Sequence, residues 1–96
     1  MLARYFVCYD IRDKKRLRLV HRKMRGYGVR VQYSVFRCDL SAREKAQLIS
    51  ELGDIIDHQA DQVLLVNLGP AEGRGDEVVD ALGLPYGVAP RSAVIV

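Results

Sequence analysis

The chain opens on Leu2-Ala3-Arg4-Tyr5-Phe6-Val7-Cys8-Tyr9, a run rich in aromatic and β-branched side chains without Gly or Pro, which predicts a strand ending at Asp10. The period then changes. Leu17, Val20 and Met24 fall at i, i+3 and i+7 on one helical face, and Lys15, Arg18, Arg22 and Arg25 recur as a cationic stripe roughly opposite. Asp13 is placed to cap this helix and Gly26 and Gly28 to stop it. Val29 to Asp39 is again strand-like and long enough to be one bent strand or two short ones. A pair hinged near Tyr33-Ser34 is expected. Ser41-Ala42-Arg43-Glu44 matches a capping box, and Leu48, Ile49, Leu52, Ile55 and Ile56 carry the apolar face of a second helix to about Asp57 or His58. Gln62 to Leu68 reads as a buried strand closed by Gly69-Pro70, and residues 71 to 77 as loop. Val78 to Leu82 suits either a short helix or an irregular segment, and Ser92 to Val96 reads as a last strand.

The order β-α-β-β-α-β predicts an α+β fold, a ferredoxin-like sandwich with both helices on one face of an antiparallel sheet and an additional C-terminal strand. Its 96 residues fit a single domain, 1 to 96. Alternation along the first strand sends Leu2, Phe6, Cys8 and Asp10 to one side and Ala3, Tyr5, Val7 and Tyr9 to the other, so both faces are largely apolar. One helical layer covers only one of them. A homodimer is the simplest cover for the second, and residues 83 to 96, ending in Ala93-Val94-Ile95-Val96, are expected to contribute a strand at the dimer or partner interface. Pairing within one subunit is the alternative.

Composition narrows the function classes. With 49% hydrophobic and 28% charged residues the chain is too apolar for disorder, and its longest aliphatic run, Val63 to Val66, is far too short to cross a bilayer. No secretory signal opens the sequence, so a cytoplasmic protein is expected. Two cysteines, Cys8 and Cys38, form no disulfide framework and no zinc spacing, and are expected to be reduced, buried thiols. The net charge of +3 conceals an asymmetry. Residues 1 to 45 hold 13 Lys/Arg against 4 Asp/Glu, and residues 46 to 96 hold 2 against 8, or +9 against −6. Such a basic half suits a polyanion, nucleic acid above all, although a solvated helix face explains the stripe equally well.

The candidates for chemistry are few. Asp10, at a strand end facing the start of the basic helix, is placed to hold a hydrated divalent ion beside phosphate, and a two-fold axis would pair it with a second carboxylate. On spacing alone, a turn or capping role is the commoner one for such an aspartate. Tyr33 and Phe36 offer rings for bases and Ser34 a hydroxyl for phosphate, but aromatics on strands are more often core. His21 and His58 lack a carboxylate or cysteine at catalytic or ligand spacing, with His21 flanking the core face. The glycine-rich stretch 69 to 75 matches no phosphate-binding loop, and Asp76, Glu77 and Asp80 read as a solvated acidic edge.

Taken together, Val7-Cys8-Tyr9-Asp10, the following Ile11-Arg12-Asp13-Lys14-Lys15-Arg16-Leu17, the segment from Gly28 to Phe36 (Gly-Val-Arg-Val-Gln-Tyr-Ser-Val-Phe) and Asp61-Gln62-Val63 resemble the CRISPR-associated protein two family, the small companion of the CRISPR integrase. The resemblance covers about residues 4 to 68; the last 28 match only in character. It implies a ferredoxin-like homodimer that binds duplex DNA and joins the integrase in acquiring new spacers. It also implies a magnesium-dependent endonuclease acting on RNA or DNA. Position by position, the family's metal-binding and catalytic aspartate falls on Asp10 and the adjoining tyrosine on Tyr9, its basic first-helix residues approximately on Arg16 and Arg18, and its hairpin Ser and Phe on Ser34 and Phe36. With the stripe, these make Lys15, Arg16, Arg18, Arg22, Arg25 and Arg30 the expected nucleic-acid contacts. A scaffold without turnover is the competing role. An RRM-like RNA-binding module using Tyr5, Phe6, Tyr33 and Phe36, or a toxin-like ribonuclease, shares the element order.

Overall fold

The computed structural model describes residues 1–73 and 78–86. Its elements are β1 (Ala3–Asp10), α1 (Lys14–Arg25), β2 (Val29–Gln32), β3 (Val35–Leu40), α2 (Ala42–Ile55) and β4 (Gln62–Pro70). The sheet order is β2-β3-β1-β4 with every pairing antiparallel, which is the ferredoxin-like arrangement expected from the element order. No helix among the described residues is long and apolar enough to cross a membrane.

Local chemistry sets the element ends. The Asp13 carboxylate accepts from the Arg16 backbone N–H, so the first turn of α1 is capped from its own sequence. At α2 the capping box is complete, with Ser41 Oγ accepting from the Glu44 N–H and the Glu44 carboxylate accepting from the Ser41 N–H. The α2 helix stops at Ile55, earlier than the apolar pattern predicts, because Ile56 turns to extended backbone. Beyond it the Asp57 N–H donates to Asp61 and the Asp57 carboxylate accepts from Gln59, which organises a turn where the pattern suggests more helix.

The hinged pair forms, with Tyr33 and Ser34 as the turn between β2 and β3. The Tyr9 N–H donates to the Ser34 carbonyl at 3.0 Å, fastening that turn to the end of β1. Gly69-Pro70 does not close β4. Gly69 takes a positive φ of 99° where the β1 register slips between Arg4 and Tyr5, and the strand passes through this bulge to Pro70 on the sheet's edge. Val78 to Leu82 is irregular rather than helical. Ser92 to Val96, and residues 74–77 of the expected loop, lie outside the described residues.

Tyr5, Val7 and Tyr9 of β1 and Phe36, Cys38 and Leu40 of β3 point to the helices and form the core with Val20, Met24, Leu48 and Leu52. The opposite sheet face carries Phe6, Cys8 and Asp10 beside their β4 partners Val66, Leu64 and Gln62. Leu64 and Val66 remain 50% and 44% exposed. Only part of this face is covered within the chain, where the Tyr86 ring meets Phe6 edge-on at 6.1 Å. Cys38 is therefore in the core and Cys8 on the open face, both as free thiols, and burial pushes Cys38 up to about 12.

Candidate nucleic-acid interface

The end of β1 is where the expected site residues separate. Tyr9 turns inward, 6% exposed, and stacks near-parallel on Phe36 with ring centroids 6.3 Å apart. Asp10, the next residue, is exposed and belongs to the opposite face by alternation. Among the described residues Asp10 makes no ion pair, and no group of three His, Cys, Asp or Glu side chains is placed to hold a metal ion.

On the helix side a groove of about 360 Å³ opens between α1 and the β2–β3 turn. Leu17, Tyr9 and His21 contribute the inner wall, and Arg18, Arg22, Arg25, Arg30 and Tyr33 line it further out. Helical spacing puts Arg18, Arg22 and Arg25 on one side of α1, while Arg30 arrives from the edge strand β2. No carboxylate is among the lining residues. Among the described residues none of Arg18, Arg22 and Arg25 is paired with a carboxylate, so their attraction for an external anion is not spent internally.

Lys15 is exposed on the same helix but does not line the groove. Arg16 is engaged elsewhere: its Nε donates to Asp61 Oδ2 at 2.8 Å and a terminal nitrogen to Oδ1 at 3.2 Å. Phe36 is 1% exposed and sits in the core, as aromatics on strands usually do. Tyr33 departs from that expectation. It occupies the turn, is 70% exposed, and has the Arg30 guanidinium carbon 5.2 Å from its ring centre. Ser34 is half-buried behind it. An aromatic platform of the RRM kind does not form, since Tyr5 and Phe36 lie under the helices while Phe6 is on the other face.

His21 is the groove residue that sequence spacing did not mark. Its Nδ1 is 3.1 Å from the Tyr9 hydroxyl and its ring meets Phe36 edge-on at 5.4 Å. Burial, then the positive charges of Arg30 and Arg25, hold it below the usual imidazole range, so it is neutral at pH 7. Burial raises the Tyr9 hydroxyl, against a smaller opposing effect of Arg30. The contact is long-range, twelve residues apart, and local spacing rules do not reach it.

This geometry agrees with the relatives the chain has. Residues 1–73 match the model of the family described as CRISPR associated protein Cas2. The chain is 44% identical over 92 residues to a CRISPR-associated endoribonuclease Cas2 of Rhodospirillum rubrum, covering 96% of this chain and 89% of the relative. It is 37% identical over 92 residues to one of Geobacter sulfurreducens, covering 96% of each. Among solved structures, Streptococcus pyogenes Cas2 at pH 6.5 superposes with a TM-score of 0.73 at 33% identity, covering 83% of this chain and 99% of that one. A hypothetical protein from Thermus thermophilus does so at 0.74 and 31%, covering 88% and 94%. The chain belongs to the CRISPR-associated Cas2 family.

Proposed function

We propose that this protein is a cytoplasmic CRISPR adaptation protein that binds duplex DNA as a homodimer, scaffolds the CRISPR integrase, and hydrolyses phosphodiesters of RNA or DNA with magnesium at Asp10. The observation that carries the reading is the convergence of Arg18, Arg22, Arg25 and Arg30 on one carboxylate-free groove beside the strand that ends in Asp10. Guanidiniums spaced along a helix meet successive phosphates, and each phosphate neutralised releases condensed counterions. The relatives named endoribonucleases supply the reaction class.

Two further features support it. The open sheet face leaves Leu64 and Val66 half in water beside Phe6 and Cys8, an apolar surface that a second copy of the chain would bury. Magnesium is usually held by one or two carboxylates with water and substrate phosphate completing its shell. One exposed Asp10 per chain suits such a site, and two related by a dimer axis suit it better. When bound, the metal polarises a phosphoryl oxygen and lowers the pKa of its water. The chain's own part is to present Asp10 as a hard oxygen ligand and to bind and orient the backbone through its arginines.

The binding half of the proposal is tested by titrating labelled duplex DNA over a range of salt concentrations. A falling log–log plot is expected, with Arg22→Ala and Arg25→Ala each making the slope shallower by about 0.9. A salt-independent affinity, or variants that bind as the wild type does, would contradict it.

A further inference from the structure

We propose that the groove between α1 and the β2–β3 turn holds one unpaired nucleotide unit, with its phosphate among Arg18, Arg22, Arg25 and Arg30 and its base against Tyr33. The inference rests on the nucleic-acid reading above and specifies which part of a strand the groove recognises.

Duplex binding needs only the arginines, because a duplex turns its phosphates outward and keeps its bases stacked within. Tyr33 adds something a duplex does not use. Its ring is 70% exposed, takes no part in the core, and stands at the rim of a groove lined by four guanidiniums, one of which already lies over it. An exposed ring beside a cationic track is the arrangement that rewards a base removed from its stack, since every base has a face to offer. The groove's volume, about 360 Å³, falls at the small end of ligand sites, a size for one nucleotide rather than a helix. Leu17 and Tyr9 give the inner wall an apolar surface, and the Tyr9 hydroxyl and His21 place polar atoms on it, the mixture that orients a planar heterocycle.

The chemistry recognised is a phosphate joined to a planar base, whether in a single strand or as a free mononucleotide. Fluorescence anisotropy with three labelled probes separates the cases: a short single-stranded oligodeoxynucleotide, an abasic strand of the same length, and a blunt duplex. Wild-type protein is expected to bind the base-bearing strand about tenfold more tightly than the abasic one, the increment typical of one base stacked on an aromatic ring. Tyr33→Ala should abolish that difference and leave duplex binding unchanged, while Tyr33→Phe should keep it. Displacement of the strand by deoxyadenosine monophosphate, but not by inorganic phosphate, identifies a site that also accepts the free nucleotide. Base-dependent binding without such displacement identifies one that needs the polymer. Equal affinity for base-bearing and abasic strands, or a difference that survives Tyr33→Ala, overturns the inference while leaving duplex binding standing. A wild type that binds none of the three probes overturns the nucleic-acid reading along with it.

Discussion

Arg16 and Asp61, 45 residues apart, form a two-pronged ion pair that ties the start of α1 to the turn leading into β4. The Asp61 side chain is fully covered, and it also accepts from the backbone N–H groups of Arg12 and Asp57. One carboxylate therefore organises the β1–α1 connection, the first turn of α1 and the end of the α2–β4 connection together. Asp10 ends the strand that enters this junction, so Asp61 sets the frame on which Asp10 is presented.

Asp61→Asn keeps the size but loses the charge and one acceptor, leaving Arg16 without its partner. It should lower Tm by on the order of 10 °C, as measured by thermal denaturation. The acid limb carries a second signature. Arg16 foremost, with the two backbone donors, holds the Asp61 carboxyl far below the ordinary aspartate value. A depressed carboxylate contributes stability that is fully present above its unfolded pKa, about 3.9, and is lost only as pH falls through its folded value. Acid unfolding of the wild type should thus extend well below pH ~3.9, and Asp61→Asn should remove that dependence. An unchanged Tm and an unchanged acid limb would refute this role.

Gly28 is fixed by a close approach rather than by an unusual backbone angle. A Cβ placed there would stand 2.6 Å from Cys38 Sγ and closer still to the Arg37 carbonyl oxygen, both on the neighbouring strand β3. Gly28→Ala should destabilise the fold by about 1–3 kcal/mol, because the clash is largely with backbone and β2 must move. Chemical denaturation would show it as a reduced midpoint at constant slope, whereas Gly26→Ala, whose Cβ meets only the Lys23 carbonyl at 3.3 Å, should cost less. Equal effects at the two glycines would contradict the steric account.

The groove also predicts a pH dependence. His21 is faced by the Tyr9 hydroxyl from β1, the uncharged Phe36 ring from β3, Arg25 on its own helix and Arg30 from β2, with Arg18, Arg22 and Tyr33 lining the same space. Burial and the two arginines lower its pKa, so the unfolded chain binds this proton more readily than the native one. Its contribution to stability is complete above the unfolded value of about 6.5 and declines as pH falls through the folded value. Titration of the ring resonances should place His21 below His58, and addition of deoxyadenosine monophosphate should raise it by offsetting the arginine charge. An unperturbed His21 would contradict the burial and charge environment described for it.

The elements themselves were legible because their determinants are local. The capping box at Ser41–Glu44, the 3.6-residue spacing of Leu17, Val20 and Met24, and the turn at Tyr33-Ser34 are each written within a few residues. The cationic stripe was legible for the same reason. What the sequence did not disclose depends on contacts across the fold. Whether Arg16 faces a ligand or Asp61, whether Tyr33 enters the core like Phe36 or stands in solvent, and whether His21 meets Tyr9 are settled by tertiary packing. The continuation of β4 through Gly69-Pro70 has a similar cause, since a bulge on an edge strand accommodates two residues that usually end one.

The central claim is that nucleic-acid binding and phosphodiester hydrolysis use separable parts of the chain, the arginine groove on the helix side and Asp10 on the opposite face. Its most direct test is cleavage of labelled RNA, single-stranded DNA and duplex DNA by the wild type and Asp10→Ala, with magnesium and with chelator, while duplex binding is recorded in parallel. The account predicts magnesium-dependent cutting by the wild type, its loss in Asp10→Ala, and the same duplex affinity for both proteins. Cutting that persists in Asp10→Ala or in chelator, or a wild type that binds duplex DNA without cutting any of the three substrates, would contradict it.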